Sequence, residues 1–261
     1  MKIITGCNGF IGKKFAEQDE KFIGMEYWNC FQLLDNLPVW DRITEIIHMG
    51  AISSTTETDI GKLTVYNVEF SVRLFKKAIE LGIPVKYASS ASVYGNSTDG
   101  SINPLNFYAI SKVQLDYWVQ QHMDMFSKIQ GFRFFNVYGD GEESKGDQRS
   151  PVSKFTEQAK LTGKIKIFEG SETMFRDFVC VDDVVDIVTN NKAGSGIFDL
   201  GSGTQHSFRD IAEIIAKKYG AEIEVIPFPK HLEGKYQYDT RTNLSWKDHK
   251  FTTVEEYINR L

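Results

Sequence analysis

The stretch Lys2-Ile3-Ile4-Thr5-Gly6-Cys7-Asn8-Gly9-Phe10-Ile11-Gly12 decides the fold class of this 261-residue chain. Lys2–Thr5 reads as a short buried strand, Gly6–Gly12 as a glycine-rich turn, and Phe10–Glu17 as the start of a helix. Gly6 permits a tight turn, Gly9 lets a diphosphate come close to the backbone, and Gly12 lets the helix pack tightly on the strand. Phosphates held there would meet free N–H groups at the positive end of the helix. An ordinary glycine turn is the competing reading. Placement between a strand and a helix, at the start of a βα unit, favours the diphosphate cradle.

Outward from this loop, apolar runs alternate with segments of helical period. Phe22–Glu26 and Glu45–His48 read as strands. Val65–Leu81 has helical spacing, with Val65, Val68, Val72, Phe75 and Ile79 on one face. Val85–Ser89 returns to strand, Tyr108–Gln121 to helix and Gly131–Phe135 to strand. Strands separated by helices predict an α/β fold: a Rossmann-type, doubly wound parallel sheet with helices on both faces. After Tyr138 the texture changes. Gly139–Ser150 holds three glycines and six charged residues, which marks a loop and a boundary. Phe178–Asn190, Gly196–Leu200 and Ser207–Tyr219 resume strand and helix, and Pro227–Tyr238 is loop-like. These segments predict a smaller α/β domain interleaved with the first. The expected division is 1–138 plus about 177–200, against about 139–176 plus 201–261.

Composition narrows the classes. Hydrophobic residues at 41% and charged residues at 25% fit a soluble globular protein and exclude disorder and fibre. A net charge of −5 without a basic run argues against a nucleic-acid groove. Cys7, Cys30 and Cys180 are far apart with no CxxC pair, and the five histidines are scattered without an HExxH. A reduced, cytoplasmic setting without a metal is therefore expected. The first residues show no charged segment followed by an apolar run, so no signal peptide is expected. No stretch reaches 18 uninterrupted apolar residues, so no membrane span is expected either.

Tyr108-Ala109-Ile110-Ser111-Lys112 puts a phenol and an ammonium one helical turn apart. A free phenol titrates near about 10. A positive charge about 4 Å away at an effective dielectric near 20 contributes roughly 4 kcal/mol, or about three pKa units. The same lysine can hydrogen-bond a nicotinamide ribose. Eighteen residues upstream of Tyr108, Ser90 ends the run Tyr87-Ala88-Ser89-Ser90, at the carboxyl end of a strand, where open α/β sheets bind ligands. Glu26, at the end of the second strand, can accept from adenosine ribose hydroxyls and would repel a 2′-phosphate, which favours NAD over NADP.

Glycine loop, serine strand end and YxxxK, in this order, resemble the extended short-chain dehydrogenase/reductases, the group of nucleotide-sugar epimerases and dehydratases. Later segments are similar to those of the ADP-L-glycero-D-manno-heptose 6-epimerases within it. They are Ser53-Ser54-Thr55-Thr56, Phe132-Arg133-Phe134-Phe135-Asn136-Val137-Tyr138-Gly139, Phe168-Glu169-Gly170-Ser171-Glu172, Arg176-Asp177-Phe178-Val179, and Ile226-Pro227-Phe228-Pro229 with Gly234-Lys235-Tyr236-Gln237.

The resemblance implies a tightly bound NAD(P) lined by Gly6, Gly9, Phe10, Ile11, Gly12, Glu26, Met49, Gly50, Ala51, Ser53, Asn67 and Val137, with Tyr108, Lys112 and Lys145 reaching it. It implies that Tyr108, Lys112 and Ser90 are catalytic, and that Lys145 is a second catalytic lysine on the opposite side of the sugar. Ser90, Asn136, Asp147, Lys154, Phe168, Glu169, Gly170, Ser171, Arg176 and Tyr236 would contact a nucleotide sugar in the second domain. A depressed Lys145 pKa would come from desolvation or from Arg176, with Asp147 opposing. By the same resemblance the protein is a homo-oligomer, commonly a pentamer, and inverts a centre through a transient ketone.

Departures exist. The segment between the glycine loop and Ile46 is short, so part of the adenosine side of the sheet is expected to be trimmed. Asp147 replaces the serine of a Lys-Gly-Ser pattern, Lys154 stands where a histidine is usual, and no lysine follows Glu26. A 4-epimerase or a dehydratase remains open as an alternative. Ala91-Ser92-Val93 lacks the acidic pair that elimination uses, which disfavours dehydration. A cofactor-sensing regulator on the same fold is the non-enzyme alternative. Such proteins typically lose the tyrosine kept here.

Overall fold

The computed structural model describes residues 1–50, 52–230, 237–242, 246 and 248–261. In chain order its regular elements are β1 (Lys2–Thr5), α1 (Phe10–Ala16), β2 (Phe22–Met25), α2 (Cys30–Asn36), β3 (Glu45–His48), α3 (Ile60–Leu63), α4 (Phe70–Leu81), β4 (Val85–Ser90), α5 (Phe107–His122), β5 (Ile129–Phe134) and β6 (Asn136–Tyr138). They continue with α6 (Pro151–Thr162), β7 (Lys164–Phe168), β8 (Phe175–Cys180), α7 (Val181–Asn190), β9 (Gly196–Leu200), β10 (Gln205–Ser207), α8 (Phe208–Tyr219), β11 (Glu222–Ile226) and α9 (Val254–Arg260).

Two compact units form. The first holds Met1–Val93, Asn106–Arg133 and Val185–Phe198; the second holds Tyr94–Leu105, Phe134–Val184 and Asp199–Leu261. The central sheet has the parallel α/β architecture, in the order β2-β1-β3-β4-β5-β9. β1 pairs in parallel with β2 on one side and β3 on the other. Strand order therefore reverses at β1, the point where such sheets open a crevice at their carboxyl ends. Among the described residues, only β2 lies beyond β1 on that side. The core of this unit packs Ile3, Ile46, Val85 and Tyr87 against Leu74, Phe75, Leu115 and Val119.

One helix departs from its sequence expectation. α3 and α4 are joined by a π-helical turn, Thr64–Glu69, so helical structure runs from Ile60 to Leu81. The buried stripe is Leu63, Asn67, Phe70, Ser71, Leu74, Phe75 and Ala78, while Val65, Val68, Val72 and Ile79 are only half-buried. The buried stripe keeps a helical period through the π turn but lies one position earlier in the chain than the expected one, with Phe75 common to both. α5 starts at Asn106, whose side chain accepts from the Ala109 N–H.

In the second unit, β10-β8-β6 form one small sheet and β11-β7 another. Phe155, Ile165, Ile167, Phe178, Ile211, Ile215 and Ile258 fill its core. α6 is capped by Ser150 with Pro151 in its first turn, and α8 carries a capping box of Ser207 and Asp210. Gly139–Ser150 contains a 3-10 segment, Glu142–Gln148, bent at Gly146, whose φ is 52°.

Candidate active site

The glycine loop follows β1 directly. Gly6 has φ 64°, and a methyl group placed on it would fall 2.6 Å from the Gly50 Cα. The loop after β1 and the loop after β3 thus touch backbone to backbone. A methyl on Gly12 would strike the Gly6 carbonyl oxygen, so α1 packs against the turn through bare backbone. Gly9, by contrast, has only the Gly6 oxygen near the place of a Cβ, at 3.2 Å. This is a cradle open at Gly9 and closed at Gly6 and Gly12, which fits the approach of a diphosphate. Phe10 is buried, Ile11, Met49 and Gly50 are half-buried, and Ser53 is exposed. Ala51 lies outside the described residues.

Glu26 stands against this loop. Its Oε1 accepts from the Asn8 N–H at 2.7 Å and from the Cys7 thiol at 3.4 Å. Burial, together with the Glu26 carboxylate, pushes the Cys7 thiol up to about 11. The carboxylate at the end of β2 therefore braces the turn as well as presenting a charge beside it.

Ser90, at the end of β4, has its hydroxyl close enough to the Tyr108 phenol to lower that phenol's pKa, and its Oγ accepts from the Ser92 N–H at 3.2 Å. Lys112 lies one turn further along α5 and is fully buried. Its Nζ donates to the Ala88 oxygen at 2.7 Å and sits 5.9 Å from the Tyr108 ring centroid. This geometry corrects the expected direct depression of the phenol by the lysine. Burial raises the Tyr108 pKa and the Asp116 charge adds to that rise, while the Ser90 hydroxyl works against both. Burial also lowers Lys112 to about 8, opposed by Asp116.

Asp116 is a participant the sequence reading missed. It is fully buried and accepts from Tyr87 OH at 3.0 Å, Ser89 Oγ at 2.9 Å and Arg133 Nε at 2.8 Å. Its signal was available: it lies four residues after Lys112, on the same face of α5. Asn67 is also buried. Its Oδ1 accepts from the Ile52 N–H, and its Nδ2 donates to the Ile52 oxygen and to Ser111 Oγ. The amide so clamps the loop after β3 to α5.

The second unit holds the remaining expected residues. Lys145 lies 3.9 Å from Glu142 Oε2. Burial lowers its pKa first and Lys154 adds to that, with Glu142 opposing, so Lys154 and Glu142 stand where Arg176 and Asp147 were expected. Glu142 is itself buried. It accepts from the Gly139 N–H at 3.1 Å, the Ser150 N–H at 2.6 Å and the Ser150 hydroxyl at 2.8 Å, which pins both ends of the loop. Asp147 is exposed, and Lys154 lies in the first turn of α6. Asn136 and Val137 are on β6, and Phe168 ends β7. Glu169 and Gly170 follow it, and Ser171 is buried with no hydrogen-bond partner for its Oγ among the described residues. The Arg176 guanidinium donates to the Phe175 and Gln237 carbonyls and lies over the Phe208 ring. Tyr236 lies outside the described residues.

The pattern that defines the NAD dependent epimerase/dehydratase family matches residues 32–192, more than half of the chain. The chain belongs to that family. Among solved structures, this epimerase/dehydratase resembles the Helicobacter pylori ADP-L-glycero-D-manno-heptose-6-epimerase, with a TM-score of 0.84 and 24% identity over 99% of this chain and 94% of that one. It also resembles the Thermotoga maritima UDP-glucose 4-epimerase, at 0.83 and 21% over 99% and 96%. MoeE5, solved with UDP-glucose and NAD, gives 0.76 and 22% over 99% and 96%. At these identities the likeness is one of fold. Among the described residues no group of three His, Cys, Asp or Glu could hold a metal, and no helix is long and apolar enough to cross a membrane.

Proposed function

We propose that this member of the family is a nucleotide-sugar epimerase using bound NAD(P), with NAD favoured, and that it inverts C6 of an ADP-heptose. The observation that carries this reading is the buried Tyr108 phenol beside the Ser90 hydroxyl, with buried Lys112 one turn beyond it and held on Ala88, in the same unit as a glycine loop open at Gly9. The heptose assignment is supported by the sequence resemblance and by the H. pylori fold match.

When bound, an oxidised nicotinamide supplies a two-electron acceptor and a positive charge. The chain's own residues do the rest. Tyr108 moves the proton of the carbinol hydroxyl, and Ser90 holds that hydroxyl while favouring the phenolate. Lys112, anchored on Ala88, holds the cofactor ribose. In the second unit, Lys145 is the second acid/base group, with a pKa brought down by burial. Glu26 engages the adenosine ribose. The loop Phe168–Ser171, Asn136, Lys154 and Arg176 bind the nucleotide sugar. By the same resemblance the protein works as a homo-oligomer, and its free cysteines favour a reduced, cytoplasmic setting.

The test is incubation with ADP-heptose and UDP-hexose panels, followed by NMR of the product stereocentres. Inversion at C6 of the ADP-heptose supports the reading, and inversion only at C4 of a UDP-hexose replaces it. The second outcome is the runner-up, favoured by the near-equal fold match to the T. maritima 4-epimerase.

A further inference from the structure

Beneath the glycine loop, three polar side chains with almost no exposure, Thr5, His48 and Ser71, form one hydrogen-bonded line that ends on the main-chain oxygen of the equally buried Asn67. Thr5 and His48 are register partners at the carboxyl ends of β1 and β3, where the strand order reverses. The Gly50 N–H donates to Thr5 Oγ1 at 2.8 Å, and Thr5 Oγ1 lies 2.7 Å from His48 Nδ1. His48 Nε2 lies 2.8 Å from Ser71 Oγ, and Ser71 Oγ donates to the Asn67 oxygen at 2.8 Å.

The donors settle the direction. Ser71 gives its only proton to the Asn67 carbonyl, so toward His48 it must accept, and Nε2 must carry hydrogen. Thr5 accepts from Gly50, so its own proton is free for Nδ1. The ring is then a neutral Nε2–H tautomer with both nitrogens engaged. Burial, with the Lys112 charge as a lesser cause, holds its pKa down to about 3, so neither tautomer nor charge changes near neutrality. Phe75 and Phe70 pack edge-on and tilted against the ring, at 5.5 and 5.9 Å between centroids.

The line continues into α5. The Asn67 amide donates to Ser111 Oγ at 3.0 Å, and Ser111 Oγ donates to the Tyr108 oxygen at 2.7 Å. Directed hydrogen bonds, joined across Asn67 by the covalent link from its main-chain oxygen to its side-chain amide, thus connect the backbone touching Gly6 to the helix turn that bears Tyr108 and Lys112, through the π-helical turn.

We propose that His48 is a positioning residue that couples the glycine loop to the π-helical turn and the Tyr108 segment of α5, so that a dinucleotide bound at the loop orders the turn holding the phenol. This rests on the reading that the loop binds NAD(P). A histidine needed only for packing would stabilise the sheet without transmitting occupancy.

Hydrogen exchange of the full chain, read by mass spectrometry with and without saturating NAD, tests the coupling. In the wild type, NAD should slow exchange both in residues 5–12 and in residues 64–69 and 107–112. His48→Gln keeps an amide donor near the Nε2 place, toward Ser71, but lacks the Nδ1 acceptor for Thr5. His48→Asn keeps the acceptor and lacks the donor. In both, saturating NAD should still protect residues 5–12, and 107–112 in part through the Lys112 contact, but lose its effect on 64–69, with NAD affinity falling about 5- to 150-fold, the usual range of a coupling. If the His48 variants do not fold, Ser71→Ala breaks the same line from the other side and should give the same decoupling. Variants that pass NAD protection to the π turn as the wild type does would overturn the proposal. A wild type in which NAD protects only the loop overturns the coupling but leaves the dinucleotide reading standing. One in which NAD protects neither segment overturns both.

Discussion

The Lys112 ammonium donates to the main-chain oxygen of Ala88, 2.7 Å away on the neighbouring strand, and not to the phenol one turn before it on its own helix. Its partner in charge is Asp116, one turn later, and burial sets its pKa near about 8. From that value up to the ordinary lysine value of 10.5, the unfolded chain holds more protons at this site than the folded chain does. Stability should therefore rise with pH across that window, and the burial cost is fully present below it. Asp116→Asn removes the opposing charge and should lower the Lys112 pKa. The alkaline limb of kcat/KM then moves to lower pH by about one unit. The same variant takes the buried carboxylate from its ion pair with Arg133 and should cost roughly 3–5 kcal/mol in chemical denaturation. An unmoved limb would show that Lys112 does not carry it.

Tyr108→Phe should fold and bind NAD with unchanged affinity while losing at least about 10²-fold in turnover, the scale of an acid/base group. Ser90→Ala tests the pKa argument separately. Without that hydroxyl, burial and Asp116 act unopposed, so the limb of the pH profile belonging to Tyr108 should move upward. Near-wild-type turnover in Tyr108→Phe would end the assignment.

His48 gives the protein an acid weakness. Its pKa is depressed from 6.5 to about 3, so the neutral ring's contribution is complete above the unfolded value and fades as pH falls through the window between the two. Going from about pH 7 to about pH 5 should cost about 2 kcal/mol from this residue alone. Denaturation at the two pH values checks it, against His48→Asn, in which that part of the slope should vanish.

Glu26 has a charge and an acceptor that separate by substitution. Glu26→Gln keeps an oxygen for the Asn8 N–H and removes the charge, so the preference for NAD over NADP should narrow with NAD affinity nearly kept. Glu26→Ala also unbraces the loop and should weaken both cofactors about 10-fold, the cost of losing a hydrogen bond to a charged group. Titration calorimetry with both dinucleotides distinguishes the effects.

Lys145→Met should retain a single half-reaction on one epimer and lose interconversion of the two. Glu142→Gln should lower the Lys145 pKa further, because Glu142 is the charge that raises it. Interconversion at the wild-type rate in Lys145→Met would mark it as an ordinary loop lysine.

Much of the first unit was legible in sequence because its signals are local. The spacing of Gly6, Gly9 and Gly12, the apolar run Lys2–Thr5 and the Tyr108–Lys112 interval each fix their own geometry. What sequence hid was long-range or buried-polar. Asp116, His48 and Glu142 read as polar residues of no set role, and Asn67 only as a residue lining the cofactor by resemblance, because burial is what gives a polar side chain its work, and burial depends on chain brought in from elsewhere. The expected stripe of Val65, Val68, Val72, Phe75 and Ile79 held at Phe75, which is buried, and in part at Val72 and Ile79, which pack against the core. It missed the polar positions Asn67 and Ser71, whose burial rests on hydrogen bonds to Ile52, Ser111 and His48.

The π-helical turn at Thr64–Glu69 also sets how this segment tolerates change in length. A π turn behaves as one surplus residue inside a regular helix, and each residue of an α-helix turns the axis by about 100°. Deleting a single residue there would relax the helix to a regular winding, which helix propensity alone would favour. It would also swing Asn67 away from Ser111, or Phe70 and Leu74 away from the sheet, since both faces cannot be kept. The segment is therefore one where substitution can be mild and a one-residue deletion severe, although the local helix would become more ideal.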